Sequence, residues 1–224
     1  NKGISPDVLS MSATPIPRTY ALTVYGDMEV SSIKTKPMGR LDVITYFKKE
    51  KDITSVLELM KSELDKGHQI YVIAPMIDTD NDEKESVSDL VDKMNRAFGK
   101  IAKIGSVHGK MDTKEKNNVM KEYENGKINI LISTTVIEVG VNVPNASMIV
   151  IFDANLFGLS TIHQLRGRVG RSNIQSYCVL IAKEYQERLK MLESCNDGFL
   201  ISEYDFKNRG EGDIFGVKQS GEIG

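Results

Sequence analysis

The residues best suited to chemistry are three closely spaced arginines in the segment HQLRGRVGR, which runs from His163 to Arg171. The chain as a whole has no excess of positive charge, because 29 Lys and Arg face 31 Asp and Glu, a net charge of −2. If residues 159–171 contain a helix, Arg168 and Arg171 face the same way and Arg166 points elsewhere. Paired guanidinium groups suit a phosphate, since each presents a rigid fork of donors. The sequence therefore predicts a local phosphate site.

Two glycines separate these arginines. Gly167 and Gly170 leave room for a close approach by a ligand or by another backbone. The alternative interpretation is structural, and it pairs the arginines with surface carboxylates. The chain has no P-loop of its own: Gly-Lys occurs at 99, 109 and 126, and Ile or Met follows each time. The acidic run at 82–85 is in a polar segment, where it makes a poor Mg²⁺-holding element.

The overall composition is that of a globular protein. The 224 residues are 40% hydrophobic and 27% charged, and no run approaches the roughly 18 apolar residues of a membrane span. The pI of about 6.0 argues against a protein whose whole surface grips nucleic acid. Cys178 and Cys195 lack metal-ligand spacing and favour a reducing, cytoplasmic setting; no metal site is predicted. The start, Asn1-Lys2-Gly3, has no initiator Met and no targeting pattern, so a fragment is expected.

Short apolar runs alternate with helical patterns along the chain. This rhythm is typical of an α/β fold with parallel strands joined by crossover helices. We expect the chemical motifs at the carboxyl ends of the strands, where open α/β sheets bind ligands. The runs are VLSMSA, DVITYF, QIYVIAP, KIGSVHG, INILIST, SMIVIFD and SYCVLIA.

Several helices have readable ends. Apolar spacing predicts a helix from Ile53 to Leu64, with Gly67 as a left-handed cap. Asp112 and Glu115 form a capping-box pattern that opens a second helix, which Gly126 closes. The charged stretch 77–86 is predicted to be a solvated loop before a helix at 87–98. Two further helical patterns occupy 184–197 and 200–208.

Three motifs carry a resemblance to a known family. SATP at 12–15, TTVIEVGVNVPNAS at 134–147 and QLRGRVGR at 164–171 resemble motifs III, V and VI of superfamily 2 helicases, in that order. The surrounding residues, with RGEGDIFGVKQSG near the end, are similar to the RecG family of bacterial ATP-dependent branched-DNA translocases. The resemblance implies a RecA-like parallel sheet flanked by helices and followed by a helical hairpin. Residues 1–40 would end the first RecA-like lobe, 41–183 would form the second lobe, and 184–224 would form the hairpin and translocation motif.

The resemblance also implies a nucleotide site shared between two lobes. Members of this family bind ATP with Mg²⁺ on a P-loop of the first lobe, and the second lobe supplies arginine fingers. Arg168 and Arg171 match those fingers, Arg171 being the preferred one, and Gln164 matches a supporting phosphate or water contact. Relatives commonly carry Asp at the position of Asn142, which keeps hydrogen bonding to ribose but drops the charge. The residues implied to lie at the nucleotide are Gly140, Asn142, Gly167 and Gly170.

Other positions match the parts of the family that touch and move DNA. The implied partners are stalled forks and Holliday junctions, the first lobe and wedge domain of the same protein, and a single-stranded DNA-binding protein. Thr134 and Thr135 have an alternative interpretation as β-branched strand residues. By the resemblance, the DNA-contacting residues are Thr134, Thr135, His108, Gly109 and Lys110, the interlobe residues are Ser12 and Thr14, and the translocation residues are Arg188, Arg209 and Gln219.

The sequence leaves three alternatives open. The chain could be the motor lobe of a transcription-repair coupling factor, which binds RNA polymerase. It could instead be a DNA-binding module without a motor, in which case the two arginines would not affect hydrolysis. A nucleotide-binding enzyme unrelated to DNA would show no stimulation by forked duplex.

Overall fold

The computed structural model describes residues 41–75, 80–134, 143–201, 203–204 and 206–207, with the side chains of 80–85 left aside. Their core is a six-stranded sheet in the order β1-β6-β5-β2-β4-β3, and all five strand pairs are parallel. The strands are β1 (Ile44–Lys49), β2 (Gln69–Ile73), β3 (Ile104–Val107), β4 (Ile130–Ser133), β5 (Ala146–Ile151) and β6 (Tyr177–Ala182). The predicted parallel α/β sheet is therefore confirmed. The run VLSMSA lies outside the described residues.

Helices occupy four of the five connections between successive strands, the β4–β5 connection being only partly described, and a fifth helix follows β6. They are α1 (Ile53–Asp65), α2 (Asp80–Phe98), α3 (Thr113–Glu124), α4 (Leu159–Arg166) and α5 (Glu187–Met191), with short 3-10 turns at Glu50–Asp52 and Ala154–Leu156. Because the strands all run the same way, the sheet has an edge where strands begin and an edge where they end. We call these the amino edge and the carboxyl edge.

Helices cover both faces of the sheet, which explains why the central strands are largely apolar. Val56 and Met60 of α1 pack with Val87 and Met94 of α2 against one face. On the opposite face, Tyr123 of α3 packs against Tyr71 of β2, with ring centroids 5.0 Å apart. Strands β2, β4 and β5 are consequently buried along their whole length, as expected for a parallel sheet.

The predicted helix caps are confirmed at α1 and α3. Gly67 has φ of +82° and donates its N–H to the Leu64 carbonyl, while the next N–H reaches back to Glu63. Gly126 has φ of +79° and ends α3 in the same way. Asp112 caps the start of α3 by accepting from the Lys114 N–H. The hydrogen bonds at Gly67 and Gly126 are those of a Schellman motif at the carboxyl ends of α1 and α3.

The helix expected within 159–171 is present as α4, which ends at Arg166, before the turns at Gly167 and Gly170. Two other helix predictions are wrong in extent. Helix α2 begins at Asp80, so most of the predicted loop 77–86 is helical; the segment has neither Gly nor Pro to break the helix. Helix α5 covers only five residues of the predicted 184–197. Within the second pattern, 200–208, the described residues 200–201, 203–204 and 206–207 are helical.

The described strands and helices up to α5 belong to one compact unit, Gly39–Asn196. The described residues from Asp197 onward belong to a second unit. Both cysteines are free thiols. Among the helices of the described residues, none combines the length and apolar character that a membrane crossing needs.

Candidate functional site

The arginine segment lies at the amino edge of the sheet. The Gly170 N–H donates to Ser176 Oγ at 3.0 Å, and Ser176 immediately precedes β6. The Ser172 hydroxyl donates to the Pro144 carbonyl at 3.0 Å, just before β5 begins. The expectation that all motifs gather at the carboxyl ends of the strands is therefore wrong for this segment. The reason is topological: α4 runs back across the sheet, and the chain must reach the start of β6.

Gly170 is required by the backbone at this turn. Its φ is +76°, in the left-handed region that residues with a Cβ rarely adopt, and an added Cβ would lie 2.6 Å from Val43 Cγ2. Gly167, by contrast, has a right-handed φ of −67° and follows directly after α4. Val43 thus leaves no room for a side chain at Gly170.

Replacing Gly170 with alanine is expected to lower the free energy of unfolding by about 2 kcal/mol, from left-handed strain plus overlap with Val43. The matched control is Gly67→Ala, since Gly67 has a similar φ of +82° but nothing within 4 Å of an added Cβ. That variant should lose only about 1 kcal/mol, the strain alone. Urea denaturation of both variants measures the difference, and equal losses would contradict the steric argument.

Arg171 is exposed, and its Nε donates to the Gly167 carbonyl at 2.9 Å. This bond holds the Nε side of the guanidinium group close to the backbone turn that follows α4. Across the described residues no ion pair involves Arg171. Arg168 is half-buried and Gln164 is exposed on the last turn of α4. The structural alternative, in which Arg171 is neutralised by a surface carboxylate, therefore finds no support in this part of the chain.

Arg168 and Arg171 act electrostatically on the same buried residue. Burial raises the pKa of Tyr71 to about 12, although the positive charges of Arg168 and Arg171 oppose the rise. Tyr71 is 3% exposed and belongs to the face that α3 covers. Both arginines are thus close enough to Tyr71 for their charges to act on it.

Arg166 has a different environment from the other two arginines. The sequence predicted only that it faces away from them. It is 4% exposed, and Nη1 donates to Thr45 Oγ1 at 3.0 Å and to the Leu192 carbonyl at 3.1 Å. Its Nη2 lies 3.2 Å from Nδ1 of His163. Burial lowers the pKa of Arg166, because a charge loses solvation in the interior. Arg166 is therefore not available to a phosphate in this structure.

A second group of candidate residues lies at the carboxyl edge. His108, Gly109 and Lys110 follow β3 directly, and Lys116 Nζ donates to the Gly109 carbonyl at 3.2 Å. Gly109 and Lys110 are exposed, whereas Nδ1 of His108 is buried without a hydrogen-bond partner. Thr134 follows β4, the neighbour of β3, and is 1% exposed. The structure thus brings 108–110 and Thr134 to neighbouring strand ends, away from the arginine segment.

Arg188 of α5 binds two backbone carbonyls at the 3-10 turn that precedes α4. Its guanidinium group donates to the Phe157 carbonyl at 3.0 Å and to the Asn155 carbonyl at 2.5 Å. The remaining candidate residues lie outside the described residues; they are Ser12, Thr14, Thr135, Gly140, Asn142, Arg209 and Gln219. Within the described part of the chain, no three His, Cys, Asp or Glu side chains are grouped as a metal site.

Comparison with known proteins decides the family. Residues 48–173, more than half of the chain, match the family model described as the helicase conserved C-terminal domain. The chain belongs to this helicase family. The match spans β1's end to the arginine segment, and therefore includes both candidate groups, at the amino edge and at the carboxyl edge.

Individual helicases agree with this assignment. The chain is 50% identical to the ATP-dependent DNA helicase RecG of Staphylococcus aureus over 226 residues, which cover 98% of the chain and 33% of that helicase. The same values hold for RecG of Staphylococcus epidermidis. The chain thus spans about a third of the length of the curated relatives it matches.

Solved helicase structures share the fold. A structure of RecG bound to a three-way DNA junction superposes with a TM-score of 0.69 and 37% identity, covering 91% of this chain and 27% of that one. Domain 2 of the DEAD-box helicase Mss116p, bound to an RNA duplex, matches with a TM-score of 0.55 over 69% of this chain and 60% of its own. At 20% identity, the second match supports the fold alone. The RecA-like helicase lobe predicted from the sequence is confirmed.

Proposed function

We propose that this chain is the second RecA-like lobe of an ATP-dependent translocase that acts on branched double-stranded DNA, and that it supplies the arginine fingers of a shared ATP site. The observation that carries the proposal is the 50% identity to RecG over 98% of the chain, which includes the whole arginine segment. The P-loop would come from a first lobe elsewhere in the full-length protein. The 224 residues alone are therefore expected not to hydrolyse ATP.

The nucleotide side of the proposal is supported at the amino edge. Arg171 is exposed and held at its Nε by Gly167, so its terminal nitrogens can meet an anion from outside. The hydrogen bond from Ser172 to the Pro144 carbonyl ties the segment after Arg171 to the segment that follows Asn142. Residues proposed for phosphate and for ribose thus belong to two segments joined by a hydrogen bond. Gln164, Gly167, Gly170 and Gly140 complete the proposed nucleotide contacts.

The fit to ATP and to Mg²⁺ differs. Exposed guanidinium donors suit the phosphate chain of ATP, whose developing charge in phosphoryl transfer needs cationic partners. The described residues contain no grouping of acidic or imidazole side chains that would hold a metal. Any Mg²⁺ would therefore depend on the first lobe, while this lobe would contribute the arginine cations and neutral hydrogen-bonding groups.

The DNA side is supported at the carboxyl edge. An exposed lysine, Lys110, and an exposed glycine, Gly109, stand at the end of β3, where charge and backbone amides can meet a phosphate. His108 and Thr134 lie beside them in sequence or on the neighbouring strand, and Thr135 follows. Ser12 and Thr14 are proposed to couple the lobes, and Arg188, Arg209 and Gln219 to serve translocation. The wedge domain and a single-stranded DNA-binding protein are the expected partners, in the bacterial cytoplasm.

ATP hydrolysis by the full-length protein tests this function. Linear, forked and four-way DNA should each be added, and stimulation should be greatest with the branched substrates. A rate that no DNA changes would contradict a translocase, and a preference for linear duplex would contradict action on branched DNA. Binding of RNA polymerase instead would favour the coupling-factor alternative.

Replacing Lys110 with glutamine is expected to weaken DNA binding and to reduce the slope of log affinity against log salt concentration by about 1, the loss of one phosphate contact. The matched control is Lys127→Gln, since Lys127 is also exposed but precedes β4 at the amino edge. Fluorescence anisotropy with a forked duplex at several salt concentrations measures both slopes. An unchanged slope for the Lys110 variant would remove Lys110 from the interface.

A further inference from the structure

Arg166 is a buried cation held by neutral groups. Its three partners are a hydroxyl, a backbone carbonyl and an imidazole nitrogen, on Thr45, Leu192 and His163. Across the described residues, no carboxylate forms an ion pair with it. A buried charge without a counter-ion is costly, and an apolar side chain of similar volume would often be at least as stable. The geometry therefore points to a role beyond stability.

The partners of Arg166 lie on three separate elements. Thr45 belongs to β1, the strand at one border of the sheet, and His163 to α4. Leu192 follows α5 and is fully buried. A single guanidinium group thus joins the last residue of α4 to the edge strand and to the segment after α5. Gly167 and Arg168 follow Arg166 directly, so the position of Arg166 sets where the second half of the arginine segment, residues 167–171, begins.

Glu193, which follows Leu192 in the segment after α5, binds β1 directly. Its Oε2 accepts the backbone N–H of Phe47 at 2.7 Å, so a carboxylate takes the place of a further strand beside β1. Its Oε1 accepts from Lys190 Nζ at 2.6 Å. Leu192 and Glu193, which we call the strap, are therefore bound to Arg166 through one residue and to β1 through the next. Both residues of the strap therefore hydrogen-bond to other elements.

We propose that Arg166 and the strap act as a positioning unit for the arginine fingers. They hold the end of α4, from which residues 167–171 continue, in one place relative to β1. This inference rests on the proposed function, because it assumes that Arg168 and Arg171 act on a nucleotide. Arg166 itself touches neither nucleotide nor DNA in this assignment. It acts through Gly167 on the residues that do.

The guanidinium group is suited to this task where an ammonium is not. Arg166 reaches Thr45 and Leu192 from Nη1 and His163 from Nη2, at angles that its planar fork fixes. A lysine would keep the charge but present one nitrogen, so it could not hold three elements in the same geometry. A shift of about 1 Å in a catalytic group costs about 100-fold in rate. The proposal therefore predicts a loss of turnover greater than the loss of nucleotide affinity.

The test is steady-state ATP hydrolysis by the full-length protein with saturating forked DNA. Arg166→Lys is expected to lower kcat by about 10- to 100-fold while KM for ATP changes by less than about threefold. Glu193→Ala, which unfastens the strap from β1, should lower kcat in the same direction without moving KM. Rates are expressed per folded molecule, with the folded fraction measured by circular dichroism. If Arg166 only stabilised the fold, kcat per folded molecule would stay at the wild-type value, and this result would overturn the proposal.

The matched control is Lys190→Gln. It removes the other partner of Glu193, an ion pair whose lysine is 48% exposed, and leaves the bonds to Phe47 and Arg166 in place. Its kcat should stay within about twofold of wild type, because exposed pairs contribute little. Should Arg166→Lys fail to fold, Glu193→Ala still decides, since wild-type kcat in that variant overturns the proposal. A wild-type protein without DNA-stimulated hydrolysis would instead refute the proposed function, which Arg171→Ala tests separately.

Discussion

Replacing Arg171 with alanine is expected to lower the DNA-stimulated ATP hydrolysis rate of the full-length protein by about 10³- to 10⁵-fold, the loss typical of an arginine finger. The physical reason is that charge builds up on the transferring phosphoryl group, and a fixed cation in a water-poor cleft stabilises it strongly. Arg171 is exposed and follows the turn at Gly170, so alanine removes the cation without creating a cavity in the core. Single-turnover kinetics with saturating ATP and forked DNA measure the chemical step.

The control for this loss is Arg96→Ala. Arg96 is also an exposed arginine, but it lies in the last turn of α2, which packs on the face of the sheet opposite Tyr71. Its removal should leave hydrolysis unchanged. Arg168→Ala is expected to lose turnover as well, since Arg168 and Arg171 act on the same region. Hydrolysis that survives both substitutions would exclude the motor and favour a DNA-binding module.

Replacing Glu63 with alanine is expected to lower the free energy of unfolding by about 3 kcal/mol at pH 7, since buried hydrogen bonds to a charge are lost together. The Glu63 side chain is 1% exposed at the end of α1. Oε1 accepts from the Ser147 hydroxyl at 2.6 Å and contacts Nδ1 of His68 at 3.0 Å, and Oε2 accepts from Lys66 Nζ at 3.0 Å. Urea denaturation of the chain measures the loss.

The stability that Glu63 provides should depend on pH in a defined direction. Burial alone would raise the pKa of Glu63, but the hydrogen bonds from Ser147, His68 and Lys66 and the charge of Lys66 outweigh it, so the pKa lies below the usual 4.5. A lowered folded-state pKa means that the contribution is complete above pH 4.5 and is lost as pH falls through the folded-state pKa. The nearly isosteric variant Glu63→Gln removes the charge and replaces one of the two acceptor oxygens with an amide donor. Its difference from wild type should therefore be constant near neutrality and shrink below pH 4.5.

Asp65→Asn is the matched control on the same helix. Asp65 pairs with Lys61 at 2.9 Å, but their side chains are 58% and 61% exposed. Water screens such a pair, and i,i+4 pairs on helices contribute about 0.3–0.5 kcal/mol. A loss for Asp65→Asn as large as that for Glu63→Gln would contradict the role given to burial.

Much of the sheet could be predicted because its strands are short and largely apolar, and the central strands β2, β4 and β5 are buried on both faces. All six described strands coincide with an apolar run. The caps at Gly67 and Gly126 were predictable for a local reason, since a left-handed residue ends a helix wherever it occurs. Helix extent was harder. The polar residues at 80–86 resemble a loop in composition, yet without Gly or Pro they continue a helix whose later turns are packed on the core.

The candidate site was predictable in its residue types but not in its placement. The sequence pairs Arg168 with Arg171 and separates Arg166, and the structure buries Arg166 while leaving Arg171 exposed. The helix assumed for that pairing ends before Arg168, because Gly167 and Gly170 turn the chain. Contacts such as Glu193 with the Phe47 N–H join residues 146 positions apart. No local pattern carries that information, since it follows from the topology of the whole sheet.

The six strands lie side by side with apolar side chains on both faces, and each spans only four to six residues. At about 3.3 Å a residue, the border that holds Lys110 and the border that holds Arg171 are about 13–20 Å apart. A close-packed interior of this thickness hardly compresses. A displacement at one border is therefore passed to the other border by movement of the described sheet as a rigid layer, and not by compression of its interior.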